Sequence, residues 1–141
     1  MKDTLQKTRD FMMAKVPETL LGALGIELTR LDKDCVEGRM PVDARTHQPM
    51  GLLHGGASVA LAESLASIAG NLNLDSEKEY AVGLEINANH IKSARSGWVK
   101  GCANPIHIGK RTHVWTVEIH NEAGELVCIS RCTLAVIARK G

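Results

Sequence analysis

Gly51-Leu52-Leu53-His54-Gly55-Gly56-Ala57-Ser58-Val59-Ala60-Leu61-Ala62-Glu63-Ser64-Leu65-Ala66-Ser67-Ile68-Ala69-Gly70-Asn71-Leu72 is the stretch on which the reading of this chain turns. No proline interrupts Leu53 to Leu72 and alanine dominates, so it predicts the one long helix of the chain. Of the 16 residues from Gly55 to Gly70, 11 are Gly, Ala or Ser, and between Thr46 and Leu74 the only formal charge is Glu63. A helix with so little charge to offer water is not exposed. Its small side chains would admit a second backbone layer, such as a curved sheet wrapped around it. The stretch is long enough to span a bilayer, yet it carries His54, Glu63, three serines and Asn71 on a bulk of Ala and Gly. No membrane span is expected.

The flanks read mostly as strands. Leu5 to Lys15 predicts a short amphipathic helix with Leu5, Phe11, Met12 and Met13 available for packing, followed by a turn at Pro17 and one more helical turn through Leu24. Ile26 to Leu31 and Val36 to Val42 alternate as two strands joined by Asp32-Lys33-Asp34, and Thr46 to Met50 is a loop. After the polar Asp75–Glu79 turn come four strands: Tyr80 to Ile91, Trp98 to Ile106, His113 to His120 and Leu126 to Ala138. The last two are joined by a hairpin at Asn121-Glu122-Ala123-Gly124. The last strand alternates poorly near Cys132 to Ile137, as if covered on both faces. Two strands, a buried helix and four strands make an α+β domain with a mostly antiparallel sheet, one domain over residues 1–141.

Composition narrows the function. Lys and Arg number 17 against 16 Asp and Glu, a net charge of +1, which argues against a nucleic-acid partner. Phe11, Tyr80, Trp98 and Trp115 are too few to build stacking platforms. Cys35, Cys102, Cys128 and Cys132 form no CxxC pair, and Met1-Lys2-Asp3-Thr4 opens no apolar leader. Reduced thiols in a cytoplasmic protein are the simplest expectation.

The helix carries the chemistry. The first four N–H groups of a helix lack intrahelical partners and sit at its positive end, and glycines at His54-Gly55-Gly56 would let a ligand reach them. An amide there can stabilise an acyl oxyanion, although glycines at a tight loop-to-helix turn also serve geometry alone. Glu63 offers a nucleophile for a thioester or ester carbonyl, or a general base for water, and Ser67 one turn on can reach it or its water. The plainer alternative is a buried glutamate bonded to a neighbouring loop. Nine residues separate His54 from Glu63, about 13 Å along the axis and half a turn around it. One helix therefore cannot bring both to one carbonyl. If both act, an antiparallel two-fold pair of chains must set Glu63 of one against the His54-Gly55 turn of the other.

Other positions are less specific. Gln48 can orient a water or carbonyl, and His90 shares a strand face with Ile86 and Ala88, where a ligand tunnel or a satisfied core histidine would both fit. Lys92, Arg95, Lys110 and Arg111 stand at strand ends, where they are either solvated charge or grips for phosphate. A zinc site of His54, Glu63 and His90 has no supporting spacing.

Gln48-Pro49-Met50-Gly51-Leu52-Leu53-His54-Gly55-Gly56-Ala57-Ser58, with Ala62-Glu63-Ser64 and Gly83-Leu84-Glu85-Ile86-Asn87-Ala88-Asn89-His90, resembles the hotdog-fold acyl-CoA thioesterases of the phenylacetyl-CoA thioesterase-like family. The likeness runs from about Gly25 to the C-terminus. It is nearest the branch of 1,4-dihydroxy-2-naphthoyl-CoA and enterobactin proofreading thioesterases. The resemblance implies a long helix wrapped by a six-stranded antiparallel sheet, dimers with a continuous sheet, and dimers paired into tetramers. It implies Glu63 as nucleophile or general base, the Gly55 amide polarising the thioester carbonyl, Gln48 and His54 orienting substrate or water, and Ser67 assisting. Gly83, the segment His90, Ile91, Lys92 and Ser93, and the segment His107, Ile108, Gly109, Lys110, Arg111 and Thr112 would line the acyl and CoA channel. The expected substrate is an acyl-CoA, aromatic acyl groups included, or an acyl-carrier-protein thioester. No metal or cofactor is expected beyond coenzyme A as part of the substrate. A hydratase or dehydratase on the same fold, or a non-catalytic acyl-CoA-binding protein, are the alternatives.

Overall fold

The computed structural model describes residues 3–140. Met1 and Lys2, on which the expectation of a leaderless start partly rests, lie outside them. Helix α1 (Thr4–Lys15) is capped by Asp3, whose carboxylate accepts the Gln6 N–H at 2.7 Å. A 3₁₀ turn (Val16–Glu18) and the short α2 (Leu20–Ala23) follow. Strands β1 (Glu27–Asp32) and β2 (Cys35–Pro41) precede the long helix α3 (Gly55–Leu72). Strands β3 (Glu79–His90), β4 (Trp98–Ile108), β5 (Thr112–Asn121) and β6 (Leu126–Ala138) complete the chain. The six strands form one antiparallel sheet in the order β1-β2-β4-β5-β6-β3, wrapped around α3. This is the hotdog arrangement that the resemblance implies.

The small residues of α3 let the sheet close on it. Leu61, Ala62, Leu65, Ala66 and Ala69 are wholly buried against Val36, Met40, Val117, Ile119 and Leu134. Gly38 and Gly101 face each other across β2 and β4 in register, and the Leu65 side chain fills the notch they leave. Each leucine so buried contributes about 1.5–3 kcal/mol. At the other end, Asn71 ties the helix to β3: its Nδ2 donates to the Ala81 carbonyl at 3.0 Å and its Oδ1 accepts the Ala81 N–H at 2.9 Å.

Three expectations need correction. Leu53 is not helical, because His54 caps α3 and Leu53 instead bridges His47 and donates its N–H to the Ala94 carbonyl. Phe11 and Met13 are exposed, since α1 turns Leu5, Thr8 and Met12 inward at helical spacing. Strand β6 is fully covered on one face, where Cys128, Ser130, Cys132 and Leu134 are buried, and only in part on the other, where Thr133 and Ala135 are half-buried and Ile129, Arg131 and Ile137 are exposed. Among the described residues no helix is long and apolar enough to cross a membrane.

Candidate active site

Two recesses flank α3, and each holds part of the expected chemistry. The first, about 570 Å³, lies between α3 and the α1–α2 segment. Glu63, Ser64 and Ser67 stand on its helical wall, with Met12, Lys15, Val16, Leu20 and Leu21 opposite. Glu63 is half-buried, and among the described residues its carboxylate accepts no hydrogen bond and forms no ion pair. The plainer reading of a glutamate satisfied by a neighbouring loop is therefore not what the chain builds.

The acid is held by shape. Its Oε2 lies so close over the Gly83 backbone that any Cβ there would strike it. Strand β3 slips register between Gly83 and Glu85, leaving Leu84 as the extra residue of a bulge beside the carboxylate. Behind it, burial first, with the Glu63 and Glu85 charges adding, pushes the Cys132 thiol up to about 12. That thiol stays protonated and inert near neutral pH.

The second recess, about 320 Å³, opens at the tip of α3 and is lined by Gln48, Gly55, Ser58, His90, Lys92 and Ser93, with Ile91 beside them. The loop before the helix is fixed at Thr46, which is buried, donates its hydroxyl to the Pro41 carbonyl at 2.7 Å and accepts the His54 N–H on its own carbonyl. Gln48 Oε1 accepts the Met50 and Leu52 N–H groups, which leaves its amide nitrogen as the free end. The Gly55 N–H has no partner among the described residues, and a Cβ on Gly55 would come within 2.9 Å of His90 Nε2. A free amide at a helix tip beneath an imidazole can bind a carbonyl oxygen and the charge that develops on it.

His54 stands as a polar cap at the start of the helix. Its Nδ1 accepts the Gly56 N–H at 2.8 Å, so it is the cap of α3, and its ring borders a third recess of about 310 Å³ beside Leu24 and Thr46. Nor do His54, Glu63 and His90 gather as a metal site; the one set of three such groups within ligand distance among the described residues is Cys35, Glu37 and Cys102. Lys92 pairs with Glu125 at 3.0 Å. His107 to Thr112 form the β4–β5 turn at the far end of the helix, where His113 packs on Gly70, so Lys110 and Arg111 border neither recess of their own chain.

Sequence reasoning missed the outer wall of the Glu63 recess. Met12, Lys15, Val16, Leu20 and Leu21 come from the N-terminal segment, whose apolar residues looked like ordinary packing. The signal available was the apolar pair Leu20-Leu21 just beyond Pro17, too short a run to point at a cleft.

Comparison with known proteins agrees with the fold. The sequence pattern described as the thioesterase superfamily matches residues 50–128. The 1,4-dihydroxy-2-naphthoyl-CoA hydrolase of Escherichia coli is 52% identical over 118 residues, covering 84% of this chain and 86% of that one. A proofreading thioesterase of Cronobacter turicensis is 49% identical over 119 residues, covering 84% and 86%. Among solved structures, a thioesterase of Haemophilus influenzae superposes with TM-score 0.86 at 44% identity over 98% of this chain and 93% of that chain. A mutant thioesterase of Pseudomonas aeruginosa does so with TM-score 0.88 at 43% identity, covering 99% and 97%.

Proposed function

The chain belongs to the thioesterase superfamily, and from that premise we propose that it hydrolyses acyl-CoA thioesters at a site shared between two subunits. The observation that carries the reading is the uncommitted carboxylate of Glu63 on an apolar wall, set apart from the equally uncommitted Gly55 amide. Each is half of a hydrolytic site. Eight residues, about 12 Å along the axis of α3, keep the halves of one chain apart.

An antiparallel pair of chains unites them. Strand β3 is an edge strand of 12 residues with Val82 and Leu84 exposed, which suits pairing with its own copy to continue the sheet. Two-fold pairing there sets α3 against the partner's α3, with Glu63 facing the partner's helix tip. The far end of each helix then runs past that tip, so the His107–Thr112 turn comes to the outer end of the shared cleft. Lys110 and Arg111 would meet the phosphates of coenzyme A there. A pairing of two such dimers into a tetramer is part of the same proposal.

In the reaction, the thioester oxygen accepts from the Gly55 N–H while Gln48 and His90 orient the carbonyl and the water. Glu63 either takes the proton of the attacking water or attacks the carbonyl itself, with Ser67 holding the water in place. The C–S bond breaks and the thiol leaves with a proton. By the general-base route the water has already supplied the new acyl oxygen; by direct attack it then cleaves the mixed anhydride left on Glu63, so that the free acid remains by either route. The acyl group would occupy the apolar recess of Met12, Val16, Leu20 and Leu21. The Escherichia coli relative is named for an aromatic acyl-CoA, and the apolar lining of this recess supports an acyl group of that class. Thiol release measured across aromatic, short-chain and long-chain acyl-CoAs and an acyl-carrier-protein thioester tests the reading. Free thiol is the expected product; an unchanged thioester bearing a new double bond, or binding without turnover, contradicts it.

A further inference from the structure

On the outer face of the sheet, away from α3, two cysteines 67 residues apart in the chain meet with their Sγ atoms 3.2 Å apart. Cys35 opens β2 just after the β1–β2 turn, and Cys102 lies on β4. Glu37 stands directly opposite Cys102 in register, and the ligand atoms of Cys35, Glu37 and Cys102 all lie within 4.8 Å of one another. Asn104 completes the group: its Oδ1 accepts from the Cys102 thiol at 3.5 Å, and its Nδ2 donates to the Asp34 carbonyl at 3.2 Å.

We propose that Cys35, Cys102 and Glu37, with Asn104 Oδ1 as the fourth donor, bind one thiophilic divalent cation of the zinc type. Two sulfurs and two oxygens make up the four donors that a tetrahedral ion of this kind takes. A cation held about 2.3 Å from each sulfur spreads the two sulfurs to about 3.8 Å, a small opening from their present spacing. A disulfide needs the opposite movement. Glu37 rather than Cys35 is opposite Cys102, so the cysteines are diagonal neighbours, and diagonal Cα pairs at about 7–8 Å exceed the usual span of a disulfide.

The surroundings suit the charge. Binding exchanges the two thiol protons, released to solvent, for the cation, and two thiolates with one carboxylate leave a single surplus negative charge. Lys100 Nζ, 3.6 Å from Glu37, and Arg30, held by Asp32 at 2.8 Å on the neighbouring strand, offset it. An outer groove of about 620 Å³ lined by Arg39, Trp98, Lys100 and His120 meets the cluster at Glu37. The ion would clip β2 to β4 beside the β1–β2 turn and stabilise the fold by mass action.

Cobalt(II) is the probe, added to the full chain kept reduced by a phosphine. The expected result is uptake of one cobalt per chain with sulfur-to-cobalt charge-transfer absorption and the strong visible bands of a tetrahedral ion, bleached by added zinc. Cys35→Ser and Cys102→Ser remove the spectrum, while Cys128→Ser and Cys132→Ser keep it. Glu37→Gln, a partly exposed change that leaves the core intact, weakens uptake about tenfold or more. No charge-transfer band in the unaltered protein, a band that survives Cys35→Ser, or uptake indifferent to Glu37→Gln overturns the assignment.

Discussion

Two glycines of α3 each carry a histidine ring against the backbone, and the two pairs do opposite things. At the N-terminal end His90 Nε2 lies over Gly55, half open to a recess with a free amide beneath it. At the C-terminal end His113 Nδ1 lies over Gly70 with no exposure at all, wedged beside Leu134 and Ala81. There the Trp115 Nε1–H donates to Nδ1 at 3.4 Å, and Nε2 has no partner among the described residues. The same pair of residue types thus serves a cleft at one end and the core at the other. Water decides between them: an exposed imidazole can exchange protons with a ligand, whereas a sealed one contributes packing and resists charge.

The sharpest way to break this contrast lies between the two ends, at Glu63. Glu63→Gln should lower kcat for thioester hydrolysis about 10³-fold with unfolding midpoint and oligomeric state unchanged, because the carboxylate is uncommitted in the fold. Near-native turnover would remove the open end of the helix from the chemistry. Next in size is the sealed end. His113→Ala should cost about 2–4 kcal/mol in urea unfolding through the cavity it leaves, while the kcat of the folded protein stays within about twofold. His90→Ala should do the reverse, with stability nearly untouched and kcat reduced.

Gly83→Ala comes third. A methyl group there displaces the Glu63 carboxylate, and kcat should fall about 10- to 100-fold with a smaller change in KM, read from steady-state thiol release. The smallest effect is a pH dependence of stability. Burial first, with the His107 charge adding, lowers the His113 pKa, so the unfolded chain takes up a proton at the ordinary histidine range while the folded chain does not. The stability from neutral His113 is present above about pH 6.5 and declines as pH falls below it, by no more than about 1.4 kcal/mol per pH unit. Urea titrations at pH 7 and pH 5 should separate in the unaltered protein and converge in His113→Phe.

The sequence displayed the helix and the acid because both were written locally. Eleven small residues in 16 and one charge in a long neutral stretch need no tertiary knowledge to stand out. The strands were legible from alternation, to within the ends that caps and bulges decide. A histidine before two glycines reads more readily as a polar cap than as a ligand, and the Nδ1 bond to the Gly56 N–H shows that His54 does cap the helix. His90 and His113 could not be told apart by neighbours in sequence, since burial comes from which helix end each meets. The N-terminal wall of the Glu63 recess and the Cys35–Cys102 pair were invisible for one reason: each is made by strands or helices brought together from distant parts of the chain.

The central claim, that an acid on one subunit serves an amide on its partner, is tested most directly by mixing defects. Chains bearing Glu63→Gln and chains bearing Gly55→Val, each inactive alone, are unfolded together, refolded at equal concentration and assayed for thiol release. A shared site gives each mixed dimer one intact Glu63 facing one intact Gly55, and the mixture should recover about a quarter of unaltered activity. A mixture as inactive as its components, once mixed dimers are demonstrated by mass, would contradict it.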